Sequence, residues 1–125
     1  MKEKYVKVLE DREQLLIDTM QDLGLKRQEA ALIVFMNGAG KLYSKDIERG
    51  TQLRQPEVSR AMKILRENDW VEVQDIKGAG KGRPKKMYRL KASLYEVIGH
   101  LEQRKLRESA MSMGSIQRLK ELAAS

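Results

Sequence analysis

Apolar residues recur along this 125-residue chain with two different periods. Over residues 3–23, Tyr5, Leu9, Leu16, Met20 and Leu23 fall at helical spacing with charges between them, which predicts an amphipathic helix stopped by Gly24. In the next segment, Ala30-Ala-Leu-Ile-Val-Phe-Met36 is apolar on nearly every side, so a helix over 26–37 belongs at the centre of the core. Gly38-Ala-Gly40 ends it, and Lys41-Leu-Tyr43 reads as a very short strand. Ser44 has N-cap chemistry and Asp46 lies in the first turn of a short helix over 45–49. After a turn at 50–53, Pro56 suits the first position of a helix that runs to Glu67. Val58, Met62 and Leu65 form its inner stripe, while Gln55, Glu57, Ser59, Arg60 and Lys63 face outward.

The period then changes. Trp70 opens a pair of strands, Val71–Ile76 and Lys85–Leu90, joined by a turn rich in glycine that ends at Pro84. The indole ring at that junction predicts core packing, and Tyr88 a half-buried strand position. Beyond Lys91, Ser93 caps a further helix with Leu94, Val97, Ile98 and Leu101 on one face. The pattern slips at 103–105 and resumes with Leu106, Ala110 and Met113. Gly114 is expected to break the helix, leaving Ile116, Leu119 and Leu122 on a last short one. The expected fold class is mainly α (α+β), with an N-terminal helix over 1–25, a helix–turn–helix and hairpin over 26–91, and C-terminal helices over 92–125.

Charge sharpens this picture. The net charge is +7 and the pI about 9.7, which favours a polyanionic partner. Residues 77–91 hold seven Lys or Arg and no acid, so much of the excess sits on one hairpin. A charge run is ordinarily a solvated surface. Here it lacks acidic company and follows a short basic helix, which favours phosphate contact. With no cysteine there are no disulfides or thiolate metal sites, and a reducing cytoplasm is the expected location. The lone His100 supports neither a metal site nor an acid–base pair. Gly-Ala-Gly-Lys at 38 and at 78 fits neither the P-loop nor the dinucleotide spacing. No nucleophile–base constellation is present, so no enzyme, cofactor or metal is expected. No apolar run approaches the roughly 20 residues of a membrane span.

Ser44-Lys-Asp-Ile-Glu, a turn, Gln55-Pro-Glu-Val-Ser-Arg-Ala-Met-Lys-Ile-Leu-Arg-Glu-Asn-Asp-Trp-Val and the basic hairpin resemble the winged helix-turn-helix of MarR- and TrmB-type transcription regulators, the small archaeal ones in particular. The resemblance covers about 28–91 by motif, and the flanking helices only by order. It implies a recognition helix at 56–67 in the major groove and a wing at 77–89 on the minor groove or backbone. It carries over Gln55, Ser59, Arg60 and Lys63 on the helix and Arg83 on the wing; charge and position add Ser44, Glu57, Lys77, Lys81, Lys85, Lys86 and Arg89 to the expected DNA contacts. Asn68-Asp69 departs from the pattern, since many relatives carry a glycine there. Glu57, an acid beside the groove, obscures the base preference. Lys81-Gly-Arg-Pro-Lys-Lys86 is similar to an AT-hook core, whose arginine suits the narrow, strongly negative minor groove of A·T tracts.

The expected activity is sequence-specific binding of double-stranded DNA as a transcription repressor. The terminal helices are too amphipathic for one small core. Leu9, Leu16, Met20, Leu94, Ile98, Leu101, Met113, Ile116 and Leu119 are therefore expected at a homodimer interface, which would present two recognition helices to a pseudo-palindromic site with A·T-rich flanks. Relatives of this type have an effector cleft between the DNA-binding lobe and the dimer helices, but no polar cluster in this sequence marks one. Two other readings remain open: a winged helix used as a protein-interaction module, and a non-specific, chromatin-like DNA coater.

Overall fold

The computed structural model describes the backbone of residues 2–77 and 85–125 and the side chains of 11–77 and 85–125. Among the described residues five helices and three strands follow in the order α1 (Lys2–Asp22), α2 (Arg27–Met36), β1 (Lys41–Tyr43), α3 (Ser44–Thr51), α4 (Gln55–Glu67), β2 (Val71–Ile76), β3 (Lys85–Leu90) and α5 (Leu94–Ala124). They form two compact units, Met1–Leu94 and Tyr95–Ser125.

In the first unit α2 is the central rod. Ala30, Leu32, Ile33 and Met36 are all buried, as an apolar helix without a polar face requires. Ile47 from α3, and Val58, Met62 and Leu65 from α4, close the core with Trp70. Gly50 brings α3 close to α2. A methyl group at that position would overlap the Phe35 ring, so the ring packs directly on the glycine backbone.

The turn between α3 and α4 is tied by a side chain. Thr51 Oγ1 donates to the Ile47 carbonyl at 2.6 Å and accepts the Leu53 N–H at 3.3 Å. Gln52 takes up the left-handed backbone, φ 60°, that redirects the chain.

The strands form one antiparallel sheet in the order β1-β3-β2. Leu42 pairs with Tyr88, and Tyr88 with Val73 on its other side. By alternation these residues, with Val71 and Leu90, face the core. Lys41, Tyr43, Glu72, Gln74, Lys85, Met87 and Arg89 occupy the outer face. Tyr88 is buried, at 6% exposure, rather than half-buried. Burial is the main cause that pushes its phenol pKa up.

Two expectations about helices need correction. Ser44 is the first residue of α3, not its cap. The helix starts one residue early because the Asp46 carboxylate accepts the Tyr43 N–H at 3.1 Å, and it runs on through Thr51. Gly114 does not break the last helix: α5 continues unbroken to Ala124, so the C-terminal helices are one. A glycine inside a helix costs about 1 kcal/mol, which is a local weakness and not a stop. The flanking Met, Gln, Arg, Leu and Lys residues are good helix formers, and Gln117 bonds to Glu121 one turn on at 3.3 Å.

Candidate nucleic-acid interface

α4 is prepared at both ends. At its start Arg54 is extended, and the Glu57 carboxylate accepts the Arg54 N–H at 3.2 Å. This half of a capping box satisfies a backbone donor that has no partner in the helix. The Glu57 carboxylate is therefore engaged with the helix's own backbone. At the far end Asp69 adopts φ 62°, and Trp70 N–H donates to the Leu65 carbonyl at 3.0 Å. That six-residue return is the Schellman motif, which usually has glycine where Asp69 stands. The Asp69 carboxylate also pairs with Lys91 Nζ at 2.6 Å.

The same junction fixes the hairpin. Lys91 N–H and Ala92 N–H both donate to the Trp70 carbonyl, at 2.9 and 3.2 Å, and the indole above them is buried. The base of the hairpin is thus locked to the end of α4 by backbone bonds.

On the outside of α4, Gln55, Ser59, Arg60 and Lys63 are exposed. Arg60 Nε donates to the Pro56 carbonyl at 3.3 Å, which lays the guanidinium along the helix. No acid pairs with Arg60 or Lys63 among the described residues. Lys77, Lys85 and Lys86 are exposed at the far end of the hairpin, and Lys85 Nζ lies 5.8 Å from the Tyr43 ring centre.

The other expected contacts are occupied or elsewhere. Arg89 Nε sits 2.6 Å from Glu72 Oε1, and this hydrogen-bonded pair holds the Glu72 carboxyl below its ordinary pKa. Ser44 is half-buried, its Oγ 3.4 Å from Glu48 Oε2. Lys81, Arg83 and the AT-hook-like hexapeptide up to Pro84 lie outside the described residues. Two exposed cations beside the outer row were not expected from the sequence: Arg54, immediately before α4, and Arg66, one turn beyond Lys63. The i, i+3 spacing from Lys63 to Arg66 is the signal that could have found the second.

Of the expected dimer residues, the side chain of Leu9 lies outside those described. Met20 and Leu101 are buried within the single chain, and Leu16 and Leu94 are half-buried. Ile98, Met113, Ile116 and Leu119 are exposed, between 42% and 66%. Among the described residues no helix is long and apolar enough to cross a membrane, and no cluster could hold a metal ion.

Three helices followed by an antiparallel hairpin, with the middle turn between α3 and α4, make a winged helix-turn-helix, an architecture that many DNA-binding proteins use. Residues 23–82 match the MarR family model, so this segment is a MarR-family winged helix and the chain a DNA-binding transcription regulator. No curated protein sequence matches. Among solved structures, a possible transcriptional regulator from Methanosarcina mazei Go1 is similar over 79% of this chain and 80% of its own, with TM-score 0.60 and 19% identity. NadR in complex with 4-hydroxyphenylacetate gives TM-score 0.53 at 20% identity over 95% and 88%. The multiple antibiotic resistance repressor MarR gives 0.51 at 12% identity over 88% and 78%. At these identities the structures establish the shared fold.

Proposed function

We propose that the protein is a homodimeric, sequence-specific repressor that acts in the cytoplasm and places α4 in the major groove. One observation carries this reading. The outer row of α4 presents Arg60 and Lys63, with Gln55 and Ser59, without acidic partners, on a helix whose end is locked to a basic hairpin. A helix of about 10–12 Å diameter fits the roughly 12 Å major groove. Arg60 is the base reader, since a guanidinium offers two parallel donors to guanine. Lys63, Lys77, Lys85 and Lys86 neutralise phosphates, and Arg83 enters the minor groove of A·T-rich flanks. Two copies present two such helices about 34 Å apart to an inverted repeat.

Selection of bound sequences from a random duplex pool at physiological salt tests the reading. A single enriched inverted repeat is the expected result. Arg60→Ala should then cost about 1–3 kcal/mol on that site and relax preference at one base pair, while Lys85→Ala weakens all sequences alike. A pool with no enrichment makes the protein a non-specific coater. A protein that ignores duplex DNA altogether leaves the interaction-module reading.

A further inference from the structure

A cleft of about 380 Å³ opens between α4 and the start of α2, and no hairpin residue lines it. Its walls are Glu57, Arg60, Ala61, Lys63 and Ile64 from α4, and Lys26, Gln28 and Glu29 from the start of α2. Three cations and two acids leave the lining with one positive charge in excess, and both acids are hydrogen-bonded to backbone. Glu29 Oε1 accepts the Lys26 N–H at 3.2 Å, and Glu57 Oε1 accepts the Arg54 N–H at 3.2 Å. Glu29 is also buried. Lys26, Arg60 and Lys63 have no ion-pair partner among the described residues. Each carboxylate is directed to a backbone N–H, while Lys26 and Lys63 are exposed and without an ion-pair partner among the described residues.

A helix seated in a major groove is walled by phosphates on both flanks, because the groove is little wider than the helix. On one flank of α4 the basic hairpin meets that wall. The first turn of α2 stands beside α4 across the cleft. We infer that the cleft between α2 and α4 is a second phosphate-docking site, in which Lys26, helped by Gln28, grips the DNA backbone strand opposite the wing. The inference rests on the proposed placement of α4 in the major groove. It adds residues about thirty positions away in sequence and outside the helix-turn-helix motif.

Phosphate contacts act on all sequences alike and appear in the salt dependence, so a fluorescent mixed-sequence duplex is a sufficient probe. Full-length wild type, Lys26→Gln, Lys26→Arg and a distal control, Lys120→Gln, are titrated against it over a series of salt concentrations. Lys26→Gln should lose affinity several-fold at low salt, and the magnitude of its log–log salt slope should fall by about 0.9 per protomer. Lys26→Arg should restore both, and Lys120→Gln should change neither. Because Glu29 bonds the Lys26 backbone and not its side chain, thermal melting of Lys26→Gln should match wild type. An unchanged slope in Lys26→Gln, beside a wild type that binds, overturns the docking site and leaves the major-groove reading intact. No duplex binding by wild type overturns that reading itself. Displacement of DNA by inorganic phosphate at constant ionic strength, seen with wild type but not with Lys26→Gln, would make the cleft a free-anion site and also overturn the inference.

Discussion

The core of the unit Met1–Leu94 and the distal half of α5, from Leu106 onward, treat their apolar side chains in opposite ways. In the first, Leu32, Ile33, Met36, Ile47, Val58, Met62, Leu65 and Trp70 are each at most 1% exposed. In the second, Leu106, Met111, Met113, Ile116, Leu119 and Leu122 are 45–74% exposed. The first unit satisfies itself and can serve as a rigid reader. A long single helix with such residues in water has no packing of its own to stabilise it, so its distal half is suited to be part of an interface. Leu106, Ala110, Met113 and Ile116, spaced by three and four, give that half one continuous apolar face. A second copy of the chain, with the same face, is the occupant proposed above.

The largest effect should come from breaking the self-sufficient unit. Trp70→Ala removes the fully buried indole that joins α4 to the hairpin, and should cost about 3–5 kcal/mol, measured by urea denaturation. Duplex binding should fall with it, because α4 and the hairpin would lose their fixed relation. A variant that keeps wild-type stability would show that the backbone bonds at Trp70 hold the junction without the ring.

The second effect should fall on the other unit and leave the first intact. Ile116→Asp with Leu119→Asp places two charges on the exposed distal half of α5. The dimer should dissociate on sedimentation, and affinity for a two-half-site operator should fall by about 10²-fold or more as avidity is lost. Binding to a single half-site should change little. Unaltered sedimentation would remove α5 from the dimer contact and make its exposed face a surface for some other partner.

What could be read from the sequence divides along the same line. The hairpin strands Val71–Ile76 and Lys85–Leu90 were legible to the residue, because alternation and glycine punctuation are local signals. α4 was legible to within one residue through Pro56 and the Val58–Met62–Leu65 stripe. The role of the acids was not. Glu57 reads as a groove acid in sequence, whereas its carboxylate reaches back three residues to cap its own helix. Asp69 reads as a departure from a glycine pattern, yet it takes the glycine-like φ of 62°, a conformation aspartate tolerates, and its carboxylate meets Lys91, 22 residues away. The cleft between α2 and α4 was illegible for a stronger reason. Lys26 and Arg60 line one cleft only when α2 and α4 have packed together in a core that includes Ile33, Met62 and Leu65.

The smallest effect concerns Gly114, where a break was expected and a continuous helix is found. A Cβ at Gly114 meets nothing within 4 Å in the single chain. Gly114→Ala should therefore gain the helix-propensity difference, about 0.8–1.0 kcal/mol, and raise hydrogen-exchange protection of the neighbouring amides without altering the first unit. The substitution also probes the proposed partner. Ser109, Ala110, Ser112, Gly114 and Ser115 are small residues around the middle of the exposed stretch. If another helix crosses close to Gly114, the added methyl will be felt there, and dimer affinity will drop even as the helix itself is stabilised. Greater protection with unchanged dimer affinity places the crossing point nearer Ile116 and Leu119. Greater protection with weakened dimerisation places it at Gly114, and lower protection would show that the chain does bend there after all.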